Sequence, residues 1–273
     1  VCGGIELSGF HGSIVVLPSS AGLERNGQTG GVDVGSGYRE WAPPARLREA
    51  VECVWARTVE GTGDGATLLV LPDGCSDLIW QSGRGAFVAG PDTHPVGTRH
   101  PSDAVLVGVR FRPGAGGAAL HTPLHELRDQ RVDLVDVLPG VHRALHDSLS
   151  PDEALDRLLA AASVLVEEAP PDPLVRRVVA GLADPAARVG DVAGQAGLSE
   201  RHLRRRFQEA VGYGPKTLHR VLRFRRFLAA AGRIERPDLA ALAVTTGYAD
   251  QAHLTRECNE LAGTTPARLL GNV

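Results

Sequence analysis

Four arginines fall within six positions of the stretch ERHLRRRF, residues 200–207: Arg201, Arg204, Arg205 and Arg206. A guanidinium is permanently charged and presents five N–H donors in a fixed fork, so such a cluster can pair with carboxylates, phosphates or the edge of guanine. Further along, QAHLTRE (251–257) offers Gln251, Ala252, Thr255 and Arg256. Gln can pair with adenine, Ala and Thr can touch a thymine methyl, and Arg can pair with guanine. Catalysis has no comparable support, because the chain contains no G-x-S-x-G, no H-E-x-x-H and no P-loop. No enzyme activity is expected.

The elements that must hold these side chains repeat. Val189, Val192, Ala193, Gly197 and Leu198 match Leu239, Leu242, Ala243, Gly247 and Tyr248 at an offset of 50. His202, Leu203, Gly212, Pro215 and Leu218 match His253, Leu254, Gly263, Pro266 and Leu269 at an offset of 51, so one residue is inserted in the second turn. Each copy reads as a short helix with a small packing residue (Ala193, Ala243), a glycine turn, a polar N-cap (Ser199, Asp250) and a second helix. That is the pattern of a helix-turn-helix, whose second helix offers its first residues to the DNA major groove. In the first copy Leu203 and Phe207 face inward, which leaves Arg201, Arg204 and Arg205 to point elsewhere. Between the copies, GPKTLHRVLRFRRFLAAAG predicts a continuous helix about 27 Å long at roughly 1.5 Å per residue. Successive major grooves on one face of DNA lie about 34 Å apart, so a rigid connector of this length makes tandem reading by one chain geometrically plausible.

Charge separates the chain in the same way. The net formal charge is -3, yet residues 174–273 carry 16 Lys and Arg against 9 Asp and Glu, while the rest carry 13 against 23. A basic segment joined to an acidic one points to a nucleic-acid-binding module attached to something else. The four cysteines have neither zinc-ligand spacing nor a disulfide framework. No apolar run is long enough to cross a membrane, and the opening VCGGIELSGF lacks a basic leader, so a cytoplasmic protein without membrane contact is expected.

Residues 1–36 are rich in Gly and Ser and read as a flexible or irregular extension. Residues 37–169 are expected to form a sensor or dimerisation domain, β-rich over 37–113 and helical over 114–169. Within it, Leu47, Val51, Val54 and Trp55 are spaced like one face of a short helix. Short apolar runs divided by turns such as Pro72-Asp73-Gly74 suggest a small β-barrel or sandwich. APPDP (169–173) cannot continue a helix and marks the start of a third segment, 170–273. The expected fold class is therefore α+β: a small β-barrel or sandwich-like domain with flanking helices, then an all-α domain with two helix-turn-helix motifs joined by a long helix.

GLSERHLRRRFQEAVGYGP and GYADQAHLTRECNELAGTTPARL resemble the paired helix-turn-helix domain of the AraC/XylS transcription regulators, over residues 174–270. The resemblance implies a seven-helix module with two recognition helices in successive major grooves. Carried over by position, it implies base contacts from Arg201, Arg204 and Arg205, and from Gln251, Ala252, Thr255 and Arg256. Ser199, Lys216, Arg220 and Arg223 are candidates for phosphate, which positions without specifying. Cys258 departs from the pattern, standing where the family usually has an aromatic and the first copy has Phe207, so the second reader is expected to be more loosely packed. Asn259-Glu260 replaces a commonly basic pair, which predicts a weaker hold on phosphate. YREWAPPARLREAVECVWAR, LPDGCSDLIW, VAGPDTHPV and VGVRFRPGAGGAAL resemble the sensor half of a subgroup of these regulators, over about 37–138. The partners implied are an operator in double-stranded DNA, an unidentified small-molecule effector, RNA polymerase where the protein activates, and a homodimer as one arrangement. Trp55, Trp80 and Arg110 are the first residues to inspect for the effector.

Other patterns compete less well. Gly114-x-Gly116-x-x-Ala119 after a strand imitates a dinucleotide fingerprint, but Arg112-Pro113 interrupts the passage and no alternation of helices and parallel strands follows. No cofactor is expected. Cys75, Asp77, His94 and His100 match no metal spacing, so no metal site is expected either. Two rival functions stay open: a cysteine-based chemical sensor or repair-type enzyme fused to a DNA reader, and a constitutive DNA-binding dimer without a ligand.

Overall fold

The computed structural model describes residues 14–15, 37–60, 65–234 and 236–271. Apart from the two-residue strand β1 (Ile14–Val15), the stretch 1–36 expected to be irregular lies outside the described residues. The first half builds two sheets. Strands β2 (Gly37–Trp41), β3 (Val51–Thr58), β5 (Ser76–Gln81), β6 (Gly85–Ala89), β8 (Val105–Phe111) and β9 (Arg131–Asp133) form an antiparallel six-stranded sheet in the order β2-β3-β8-β5-β6-β9. Strands β4 (Ala66–Val70) and β7 (Val96–His100) pair antiparallel, with β1 parallel to β4 in a second sheet.

Both faces of the large sheet are covered, which is why β5 and β6 are buried along their whole length. On one face Val54, Leu78, Trp80, Val88, Val107 and Val109 pack with Leu155, Leu158 and Ala162. The last three belong to helix α5 (Pro151–Glu168), preceded by the short helices α1 (Gly116–Ala119), α2 (Leu124–Leu127), α3 (Leu134–Val137) and α4 (Pro139–His142). Helix α5 starts where SPDE predicts: the Ser150 hydroxyl accepts from the Glu153 amide, and the Glu153 carboxylate accepts from the Ser150 amide. On the opposite face Cys53, Trp55, Ile79, Phe87 and Leu106 pack with Leu68 of β4. The architecture is a sandwich of two separate sheets with helices on the outer side.

The short helix expected over 47–55 is a strand. Only Ala45–Leu47 makes a single 3-10 turn, and Val51–Thr58 runs as β3. The register shifts between Val51 and Cys53, and the extra residue brings Val51 and Val54 to the same side of the sheet. A bulge thereby imitates the three-residue spacing of a helix, in a stretch whose Val and Thr content favours a strand. Strand β9 likewise interrupts the stretch read as helical, pairing Val132 with Val88 of β6.

The second half is all helical: α6 (Pro173–Leu182), α7 (Val189–Gln195), α8 (Glu200–Val211), α9 (Pro215–Ala231), α10 (Leu239–Thr245), α11 (Gln251–Ala262) and α12 (Pro266–Leu269). Both second helices of the repeat end in a left-handed glycine, Gly212 (φ 89°) and Gly263 (φ 68°), which any side chain would strain. Val175, Val178, Leu203, Phe207 and Val211 close one core, and Phe224, Phe227, Leu254, Cys258 and Leu261 close the other. The halves touch directly. A Cβ on Gly117 would lie 2.5 Å from the Glu209 carbonyl oxygen, so this close approach of α1 to α8 requires glycine. Helix α9 also sends Arg225 into the first half, where its guanidinium donates to the Asp73 carbonyl (3.1 Å) and pairs with Glu52 (3.4 Å).

Candidate functional site

The two recognition helices begin alike. Ser199 caps α8 by accepting from the His202 amide, and Asp250 caps α11 by accepting from the His253 amide (2.7 Å). The caps point the first helical turns outward, where backbone amides and the positive end of the helix dipole favour anions. Leu203 and Phe207 are buried beneath α8, as are Leu254 and Cys258 beneath α11. The remaining faces are therefore set by the helical period.

Arg201, Arg204 and Arg205 are exposed on α8. On α11 Gln251, Ala252 and Arg256 are exposed, whereas Thr255 is half-buried and its hydroxyl donates to the Gln251 carbonyl (2.9 Å). Lys216 is exposed one residue into α9, and together with Arg204, Gln208 and Arg128 of the first half it borders a cleft beside α8. Cys258 is fully buried, its thiol pushed up to about 12 by burial, with Glu257 adding to the shift. Cys258 shares its core with Phe224 and Phe227, whose rings lie 6.5 Å apart.

Two residues expected at phosphate, Arg220 and Arg223, make ion pairs within the second unit. Arg223 is 12% exposed, stacks its guanidinium 4.8 Å from the centre of the Tyr248 ring, and pairs with Glu257 through both Nε and Nη2. Arg220 donates from Nε to Glu257 (3.1 Å) and pairs with Glu260. Glu257 is 5% exposed, and a buried carboxylate holds its cations more strongly than solvent-facing ones do. Arg223 is thus mostly buried and braces α9 against α11 within the second unit. Arg220 is half-buried in the same network. Glu257 was not foreseen, because a glutamate in a mixed-charge helix reads as ordinary solvent-facing charge.

In the first half the sheets enclose a cavity of about 80 Å³. Trp55 and Arg110 line it, together with Tyr38, Asp73, Asp77 and His100. Trp80 does not: it projects from the other side of β5 into the core beneath α5, with its indole N–H donating to the His146 carbonyl (2.9 Å). Strand alternation is the reason, since Asp77, Ile79 and Gln81 face the second sheet while Leu78 and Trp80 face the helix. Trp55 lies flat over Gly108 of β8, where an added Cβ would come within 2.5 Å of the indole.

The cavity holds a dense charge network. Asp77 accepts from the Trp55 indole N–H (2.7 Å) and from Arg110 Nε (3.1 Å). Arg110 also reaches Asp73 (3.5 Å) and Glu40 (3.6 Å), and its Nη1 donates to the Tyr38 hydroxyl (3.4 Å). Burial raises the Asp77 carboxyl above the usual range while Arg110 opposes the rise. Asp92 and Arg131 make a second, bidentate pair (2.8 and 2.7 Å). His100 sits between Gln81 Oε1 and Thr98 Oγ1, 2.9 Å from each. Among the described residues no group of His, Cys, Asp and Glu could hold a metal ion. No helix among them is long and apolar enough to cross a membrane.

His100 gives a pH dependence with a definite sign. Burial, then Arg84 and Arg57, lower its pKa below the ordinary value, so the folded chain binds this proton less readily than the unfolded one. Its contribution to stability is present above about pH 6.5 and is lost as the pH falls through the lower folded value. Urea midpoints measured from about pH 8 to about pH 5 should decline on the acid side, and His100→Gln should flatten that part of the profile. An unaltered profile in the variant would remove His100 as the cause.

Comparison with known proteins bears on both halves. Residues 39–133 match a domain of unknown function (DUF6597), and residues 192–272 match a helix-turn-helix domain. No curated protein matches the chain significantly in sequence. Among solved structures, an apo form of ToxT from Vibrio cholerae is 10% identical, with a TM-score of 0.42 over 80% of this chain and 96% of that one. Another crystal form of ToxT from the same organism, also 10% identical, gives 0.43 over 81% and 98%. Likeness at this level carries no functional inference.

Proposed function

We propose that the chain is a DNA-binding transcription regulator of the AraC/XylS type, in which α8 and α11 read successive major grooves while the sheet cavity receives a small effector. The observation that carries the reading is the pair of equivalent helices, each capped by a polar residue and each presenting its first turns outward. Arg201, Arg204 and Arg205 would contact one block of bases. Gln251, Ala252, Thr255 and Arg256 would contact the other, with Thr255 offering its methyl because its hydroxyl is already used within the helix. Ser199 and Lys216 are left as phosphate contacts at the rim of α8.

The effector would be small and uncharged. The cavity wall sets Asp73, Asp77 and Asp92 against Arg57, Arg110 and Arg131, while Trp55, Phe87, Ile79 and Leu106 supply the apolar side. The turn carrying Asp73 lines this cavity and also receives Arg225 from the helix that joins the two readers. An occupant that shifts Asp73 would thus change what α9 rests on, which is the differential contact that linkage requires. The cysteine-based reading loses ground, since Cys53 and Cys75 are buried and burial raises both thiols, opposite to a reactive cysteine.

Selection of genomic fragments with the full-length protein, followed by footprinting, tests the reading. Two short protected blocks about one helical turn apart are expected. Arg205→Ala should cost about 1–3 kcal/mol on the selected site and relax one base preference in the first block. Equal weakening on every sequence would instead make Arg205 a phosphate contact.

A further inference from the structure

We propose that the residue at the equivalent position of the two recognition helices, Arg206 in α8 and Glu257 in α11, is a positioning residue. It ties α8 to α6 and α11 to α9, with opposite polarity in the two units. Arg206 and Glu257 correspond at the same offset of 51 that aligns His202 with His253 and Gly212 with Gly263. Arg206 pairs with Asp172, the N-cap of α6, at 2.7 Å. Glu257 pairs with Arg220 and Arg223 of α9.

The partners correspond as well. The buried residues of α6, Val175, Val178 and Leu182, align at an offset of 49 with Phe224, Phe227 and Ala231, which are among the buried residues of α9. On that alignment Asp172 falls between the counterparts of Arg220 and Arg223. Each unit therefore has an ionic link between the same two places, one pair with the cation on the reader in the first and two pairs sharing the anion on the reader in the second.

Reversed polarity has a consequence that two identical pairs would not. Two homologous units joined by one helix present each reader with two similar supports, and apolar packing alone discriminates weakly between them. If α8 took the place of α11 against the second half of α9, Arg206 would face Arg220 and Arg223. If α11 docked on α6, Glu257 would face Asp172. Both mispaired arrangements set like charges together, so only the native pairing satisfies both readers. The same network fixes the rotation of α11 about its axis, through Glu257 to Arg223 and through Arg223 to Tyr248.

The inference rests on DNA reading by α8 and α11, and two readouts separate its failure from failure of that reading. In the full-length protein without DNA, thermal unfolding of Glu257→Gln, Arg223→Gln and the double variant should be non-additive, as should Arg206→Gln, Asp172→Asn and their double. Arg206→Gln combined with Glu257→Gln should be additive. With the selected site, Glu257→Gln should lower protection of the block read by α11 on the order of tenfold, because its pair is buried. Arg206→Gln should lower protection of the other block by about threefold, because its pair is exposed. Arg206→Lys should retain the first block. Should Glu257→Gln fail to fold, Arg223→Lys, which keeps the charge but loses the bidentate geometry, must still weaken the second block alone. Additive pairs within each unit, or equal loss at both blocks, would overturn the proposal. If the unaltered protein protects no paired blocks, the DNA reading fails while the unfolding cycles still decide whether the clamps exist.

Discussion

Arg110→Ala is expected to destabilise the first half by about 3–5 kcal/mol, the range for removing one partner of a buried ion pair. The side chain is 8% exposed and stands among Asp77, Asp73 and Glu40, whose side chains are 11%, 17% and 11% exposed. Its loss strands carboxylates that burial already disfavours, and the raised pKa of Asp77 shows the direction of that strain. The sign of the pH response follows. Without the guanidinium, Asp77 rises further, and the variant takes up a proton at a pH where the unfolded chain does not. The deficit should therefore shrink as the pH is lowered from neutrality. Urea unfolding of both proteins at two pH values measures it, and a deficit below about 1 kcal/mol, or one indifferent to pH, would mean that the network is not what supports the cavity. Because Tyr38, Trp55 and Asp77 all lean on Arg110, the same variant should lose any response to an effector before it loses DNA binding.

Phe207→Ala should cost about 3–5 kcal/mol, as for other fully buried aromatics, and should abolish reading of the first block. Phe207 is 0% exposed and sits among Val175, Val178, Leu182, Leu203 and Leu218, the core that holds α8 against α6 and α9. The equivalent truncation in the second unit, Cys258→Ala, removes a single sulfur from an equally buried position and should cost only about 1 kcal/mol. Calorimetry of the two variants compares one repeat position filled in two ways. Similar losses from both would show that neighbouring side chains, and not residue 207 or 258 itself, carry the packing. The contrast also explains how α11 keeps its place with so small a residue beneath it. Phe224 and Phe227 share its core, and the ion pairs of Glu257 add a polar fastening that α8 has only at its exposed edge.

The coupling implied by Arg225 has one physical requirement. Its guanidinium joins Asp73 and Glu52 of the first half to α9, and α9 packs in both helix-turn-helix cores through Leu218 and Phe224. A change at the cavity can therefore act on both readers through one rigid element, without a separate path to each.

The sequence by itself determined what depends on near neighbours. The repeat, the polar caps at Ser199 and Asp250, the glycine stops at 212 and 263 and the inward faces of α8 and α11 were all legible. A cap or a left-handed turn is decided within a few residues, and a helical period declares its buried side. The chain VECVWART misled for the same reason: its spacing is helical, and the bulge that produces this spacing exists only once β3 is paired with β8. Tertiary structure alone decided the side of the sheet on which Trp80 lies, the pairing of Arg220 and Arg223 with Glu257, and the reach of Arg225 to Glu52 across 173 positions of sequence. A charge in a sequence has no partner until folding supplies one. Whether an arginine faces phosphate or a buried carboxylate is set by which surfaces come together, and composition and spacing do not carry that information.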